Sequence, residues 1–213
     1  MCNNYRLLER VPAETLFPYV LAPEGIPNFE PREDIRITDR APILRAATSR
    51  AISSRVGSPD DSEIAAGENP REGAVELVQR RWSWPGPGGK PVYNYRSDGR
   101  DFPKGRCVIL ADGFYEFTAH SDPKSRRKHK WLFTLKDHDW FGIGGLWRHD
   151  AGLGAEAFTM LTMEPHPDVA PYHNRGIVIL GREGMTRWLD PAVPSRELLR
   201  PLPAGSLEVT QIA

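Results

Sequence analysis

The chain has 213 residues, with 28 Lys or Arg against 28 Asp or Glu, so its formal net charge is zero. That balance excludes a generally cationic nucleic-acid binder, and any such binding has to come from a local patch. No apolar run of about 18 residues is present, which excludes a spanning helix, and no basic segment followed by an apolar stretch marks a secretory signal.

The 2 cysteines cannot build a disulfide framework and point to a reducing interior. The 19 glycines and 20 prolines exceed their usual combined share of roughly 12% of a chain. Many turns and short elements are therefore expected, and a helical bundle is not.

Taken in chain order, Pro12 to Leu21 reads as a short helix ended by Pro18. Ile35 to Thr38 and Ile43 to Arg45 read as strands around a turn containing Pro42. Ala47 to Gly73, rich in Ser, Asp, Glu, Gly and Arg, reads as a surface loop. Ala74 to Trp82 reads as a strand, and the Pro/Gly-filled Trp84 to Lys90 as irregular. Cys107 to Leu110 and Phe114 to Phe117 flank Asp112-Gly113, a strong hairpin signal. Four more strands are expected at Trp131 to Leu135, Trp140 to Leu146, Ala157 to Met163 and Gly176 to Leu180. Helices are expected at Glu183 to Leu189 and Ser195 to Leu199, and a closing strand at Leu207 to Ile212. Strands and helices do not alternate, so the fold class is α+β, a single compact domain with mainly antiparallel sheets.

Cys2 directly follows the initiator methionine. Removal of Met1 would leave an α-amino group with a reference pKa near 8 beside a thiol near 8.5. Such a 1,2-aminothiol condenses with an aldehyde, first as a Schiff base and then as a thiazolidine ring. It can alternatively attack an amide with its own amine as base. Glu116 shares a strand face with Phe114 on simple alternation, where lost solvation would raise its pKa and suit it to proton transfer. His173 precedes a strongly apolar strand that would fix it in place, and histidine moves protons near neutral pH.

Asn94 and Arg96 offer hydrogen-bonding groups in one short segment, and Arg175 adds positive charge near His173. Trp82 and Trp84 serve either as core or as a stacking platform for bases. Lys124 to Lys130 is a basic run between two strands and reads as a solvated tip. His120, His129, His138, His149 and His166 show no metal-ligand spacing, so no metal site and no cofactor are expected. Cys107, in an apolar strand, reads as structural.

Together, MCNNY, RRWSWPGPGGKPVYNYRSD, RCVILADGFYEF and TMLTMEPHPDVAPYHNRGIVIL resemble the SRAP family, the abasic-site processing proteins also called SOS-response-associated peptidases. The resemblance runs from Cys2 to Leu180. It implies one SRAP-like domain over residues 1–213 and covalent capture of the ring-opened abasic aldehyde in single-stranded DNA by mature Cys2. It further implies catalytic roles for Cys2, Asn94, Glu116 and His173, and DNA contacts from Arg96, Arg175, Trp82, Trp84 and Asn4. The "peptidase" label would correspond to removal of Met1. A monomer in the cytoplasm, associated with the nucleoid and with no membrane partner, is the expected setting.

The sequence departs from the family pattern in several places. Asn3-Asn4 stands where Gly-Arg usually follows the cysteine, and Ser83 stands where glycine usually follows the tryptophan. Gly88-Gly89 replaces a loop tryptophan, Tyr95 sits between Asn94 and Arg96, and Gly176-Ile177 follows Arg175 where proline is usual. Two other readings use parts of the same residues: an amidohydrolase or thiol peptidase built on Cys2, and a non-enzymatic single-strand nucleic-acid binding module in which Cys2 is dispensable.

Overall fold

The structure is a computed structural model that describes residues 2–8, 20–21, 30–47 and 74–213. In chain order the first strands are β1 (Asn4–Leu7), β2 (Val20–Leu21), β3 (Arg32–Arg36), β4 (Arg40–Ala46) and β5 (Val75–Trp82). Short strands β6 (Trp84–Pro85), β7 (Pro91–Val92) and β8 (Asn94–Arg96) follow. The longer strands are β9 (Arg106–Ala111), β10 (Gly113–Ala119), β11 (Lys128–Leu135), β12 (Phe141–Asp150) and β13 (Ala155–Met163). The chain ends with β14 (Gly176–Ile177), β15 (Ile179–Leu180), helix α1 (Arg182–Leu189) and β16 (Leu207–Gln211). Among the described residues strands dominate, so the α+β expectation holds with its balance far on the β side.

One sheet runs β16-β11-β10-β1-β3, all antiparallel. The larger sheet runs β13-β12-β9-β4-β5, and β5 returns to pair in parallel with β13 at Arg81↔Ala157 and Trp82↔Phe158. These five strands therefore close into a barrel-like ring, which leaves few unpaired edges. Where β5 leaves β13, β8 takes over the same edge with Asn94 opposite Met160. Asn94 is thus placed by a sheet register.

The interior is apolar and close-packed. Phe114 stacks on Phe133 at 4.9 Å between centroids and meets Phe141 edge-on at 6.4 Å. Each such fully buried ring contributes roughly 1.5–3 kcal/mol. Helix α1 turns Met185, Trp188 and Leu189 inward, and Trp188 Nε1 donates to the Cys107 carbonyl at 3.0 Å. Cys107 is fully buried, as the sequence indicated, and burial pushes its thiol pKa far up.

The Asp112-Gly113 signal does not make a hairpin. β9 pairs with β4 and β12, whereas β10 pairs with β1 and β11. The dipeptide is a corner where the chain passes between sheets. Asp112 accepts from Arg6 Nε at 2.5 Å and from the Leu8 N–H, locking β1 to that corner. A Cβ at Gly113 would lie 2.8 Å from Leu132 Cδ1 and 2.9 Å from Arg6 Nε. The glycine answers a close approach of chains, which local sequence does not distinguish from a tight turn.

Pro42 lies inside β4, and the reversal is at Ile37-Thr38-Asp39. Proline is tolerated because pairing with β9 begins only at Ile43. Trp84–Pro85 and Pro91–Val92 form a two-strand ribbon around a 3-10 turn at Pro87–Gly89, so that segment is more regular than its composition suggests. The helix expected at Pro12 to Leu21 lies outside the described residues except at Val20 and Leu21, which pair as a strand with β5. The loop expected at Ala47 to Gly73 lies outside them beyond Ala47. The helix expected at Ser195 to Leu199 is a single 3-10 turn, Ser195–Glu197.

Ser83 adopts φ 93° while buried, between β5 and β6. An L side chain is strained there, and glycine is not. This is a position where the sequence departs from the family pattern.

Candidate active site

β1 carries the chain from Cys2 across the first sheet, between β3 and β10. Cys2 is 1% exposed, and its thiol donates to the Asn4 carbonyl at 3.2 Å. Loss of solvation raises the thiol pKa to about 12, and the nearby Glu116 carboxylate adds to the rise. In this state the sulfur is a protonated, weak nucleophile. Asn94 Nδ2 donates to the Cys2 carbonyl at 2.8 Å, so β8 holds the backbone of the candidate nucleophile.

Glu116 is 3% exposed on β10, in register with Trp131 and on the face of Phe114. Burial raises its pKa from 4.5 to about 7, a rise moderated by charge and a hydrogen bond from the chain's amino terminus. At neutral pH the carboxyl is divided between its two protonation states, as a proton carrier requires. His173 is half-buried, and burial followed by the same terminal charge lowers its pKa. Its Nδ1 lies 2.9 Å from the Arg175 backbone nitrogen and 3.2 Å from the Arg175 carbonyl, which fixes the orientation of the ring. The amino terminus thus acts on Cys2, Glu116 and His173 alike. Cys2, Asn94, Glu116 and His173, far apart in sequence, meet in one place.

The surrounding candidates divide. Arg96 is exposed on β8. Arg175 is engaged, with Nη1 donating to Asp98 Oδ1 at 2.8 Å and Nη2 to the Thr162 carbonyl at 2.9 Å. Trp82 is fully buried, donates Nε1 to the Tyr93 carbonyl at 2.9 Å and meets Tyr5 edge-on at 5.3 Å. Of its two readings the structure gives the core one. Trp84 is 6% exposed under the Arg148 guanidinium, 4.3 Å from its ring centroid. Asn4, expected to contact DNA, is 7% exposed, with Nδ2 donating to Asp34. That bond ties β3 to the strand that carries Cys2.

His166 has a structural role that was not among the expectations. It is fully buried; Leu202 N–H donates to its Nδ1 at 2.7 Å, and its Nε2 lies 2.8 Å from the Ile177 carbonyl. Its own carbonyl accepts from Val169 and Ala170, and the Val169 carbonyl accepts from the His173 N–H at 2.9 Å. His166 therefore anchors the turn that presents His173. Its place between Pro165 and Pro167 was the available signal. Among the described residues no group of three or more His, Cys, Asp or Glu could hold a metal ion, and no helix is long and apolar enough to cross a membrane.

A sheet-ringed fold in which Cys2 lies beside a poised carboxyl and an imidazole is what the chain presents. Residues 92–213 match the family described as SOS response associated peptidase (SRAP), and the chain belongs to that family. The matched segment contains Asn94, Glu116 and His173, and Cys2 lies before it.

Abasic site processing protein YoqW of Bacillus subtilis (strain 168) is 31% identical over 115 residues, 51% of this chain and 50% of that protein. Abasic site processing protein HMCES of Gallus gallus is 32% identical over 115 residues, 45% of this chain and 34% of that protein. The chain spans about half the length, or less, of the curated relatives it matches. A crystal structure of a Bordetella bronchiseptica protein superposes over 100% of both chains with a TM-score of 0.66 at 22% identity. One from Bacteroides thetaiotaomicron covers 87% of this chain and 80% of its own, with a TM-score of 0.60 at 16% identity. These two likenesses concern the fold alone.

Proposed function

We propose that this chain processes abasic sites in single-stranded DNA by covalent capture through Cys2, working as one domain in the cytoplasm at the nucleoid. The observation that carries the reading is the convergence of Cys2, Asn94, Glu116 and His173 around the amino terminus. With Met1 attached the Cys2 nitrogen is an amide and cannot condense with an aldehyde. Removal of Met1, the activity behind the family's peptidase label, frees it.

The chemistry then follows from the residues present. His173 takes the proton of the C1′ hydroxyl and returns one to the deoxyribose ring oxygen as the bond between that oxygen and C1′ breaks, and the sugar opens to its C1′ aldehyde. Glu116 takes a proton from the Cys2 ammonium, and the neutral amine adds to the aldehyde carbon. The resulting hydroxyl leaves as water, with the proton returned by Glu116, to give a protonated imine. The thiol adds to the imine carbon as its proton leaves to solvent, and a thiazolidine ring closes with net loss of one water. Asn94 keeps the Cys2 backbone aligned through these steps, where a small misplacement is costly. Return of a proton from His173 opens the route to reversal. Arg96 meets phosphate beside the lesion, and Arg175, braced by Asp98, shapes that wall of the site.

The test is a denaturing gel of the purified protein with a single-stranded oligonucleotide carrying one abasic site. The expected result is a band that survives heat and detergent, needs the lesion and vanishes in Cys2→Ala. Absence of that band from protein shown by mass spectrometry to lack Met1 would overturn the proposal.

A further inference from the structure

The wall that carries Glu116 does not end at the site. In β10 and β11, Glu116 lies opposite Trp131 and Thr118 opposite His129, so all four share one face of the sheet. Trp131 packs on Tyr172 at 4.7 Å between centroids, one residue before His173. Outward from Trp131 comes His129 at 6.3 Å, and His129 is stacked on His120 at 4.8 Å with 20° between ring planes. Gln211 of β16 closes one flank, its Nε2 2.9 Å from His129 Nδ1. All three rings of the ladder are partly exposed. The adjoining turn carries Lys124, Arg126, Arg127 and Lys128, all exposed and in no ion pair among the described residues. Lys130 alternates to the other face, with Nζ 3.8 Å from the Tyr115 ring centroid.

A row of flat rings leading out of the site, beside unpaired positive charge in a chain of zero net charge, fits a polyanion with flat faces. We propose that Trp131, His129 and His120 form a stacking lane for nucleotides on one side of the abasic site, with the 124–128 turn taking their phosphates. This rests on the reading of the site as one for abasic single-stranded DNA and adds where the flanking strand runs. The rings accept any base, because every base has a π face, so the lane holds DNA without reading its sequence. The basic turn then has a partner that its reading as a solvated tip did not supply.

The test measures affinity for undamaged single-stranded oligonucleotides and crosslink yield on lesion-bearing ones, for wild type, a His120→Ala/His129→Ala variant and a Lys124→Gln/Arg126→Gln/Arg127→Gln variant. All five positions lie on or beside an exposed turn outside the catalytic set. Loss of the two imidazoles should weaken binding of undamaged DNA about five- to twentyfold. Loss of three charges should flatten the log–log salt dependence by about 2. On lesion-bearing DNA below saturation the histidine variant should crosslink less than wild type, a difference that should vanish when the nucleotides on one side of the lesion are trimmed away or when the DNA is saturating. Unchanged affinity and salt slope in both variants would overturn the lane while leaving capture by Cys2 intact. Failure of wild type to crosslink would instead sink the capture reading, and the affinity arm would still decide the lane.

Discussion

Two buried carboxylates sit in opposite settings. Glu76, 1% exposed inside the strand ring, accepts from Arg45 Nε at 2.6 Å. Arg45 also reaches Glu156 at 3.0 Å and lies 3.8 Å from the Trp147 ring centroid, and Arg80 bridges Glu156 at 2.6 Å. Burial works against the Glu156 carboxylate, yet the two arginines hold its pKa below the ordinary value. Glu116, equally enclosed, has the charge of the chain's own terminus as its counterpart and is poised near neutrality. A buried acid locked to arginine is a fixed structural part, whereas one left near the ambient pH can exchange a proton.

The contrast can be broken most forcefully at Arg45. Arg45→Ala would strand the fully enclosed Glu76, while Glu156 keeps Arg80, and is expected to cost about 3–5 kcal/mol, read by denaturant unfolding. Glu116→Gln should behave in the reverse way. It should slow crosslink formation on the order of a hundredfold without costing stability at neutral pH. The sign follows from linkage. The folded carboxyl titrates near 7 and the unfolded one near 4.5, so the native state binds more protons in between, and stability falls as pH rises through that window. Glu116→Gln removes this slope and should be more stable than wild type at pH 8 by on the order of 2 kcal/mol. A wild-type stability that is flat between pH 5 and 7.5 would remove the distinction between the two acids.

Asn94→Ala tests position rather than proton transfer. It should slow crosslinking roughly ten- to hundredfold with the pH profile unchanged. Ser83→Gly is the smallest test and lies outside both networks. It relieves the φ of 93° and should raise stability by about 1 kcal/mol, measured as a shift in unfolding midpoint.

Much of this was legible in the sequence where the signal is local. The apolar runs that became β9 to β13 and α1 were placed within a few residues, because pattern and composition determine them. Asp112-Gly113 misled because a glycine needed for close approach looks the same as one needed for a turn. Closure of the ring was invisible, since the parallel pairs of β5 and β8 with β13 join segments that share no local pattern. At the site, Cys2, Glu116 and His173 announced themselves by residue type and position. Asn94 stood out only as a hydrogen-bonding side chain, and its place beside Cys2 came from the family resemblance, because the bond it makes is to a backbone 92 residues away. His166 and Arg45 were passed over because a buried histidine or arginine is recognised by its partners, which are Ile177 and Leu202 for the one and Glu76 and Glu156 for the other.

The most direct test of the central claim is intact-mass analysis of the protein after incubation with an abasic single-stranded oligonucleotide, followed by peptide mapping. The account predicts a mass equal to the protein without Met1 plus the oligonucleotide minus one water, with the modification on Cys2. An unmodified protein lacking Met1, or an adduct on a lysine, would contradict it.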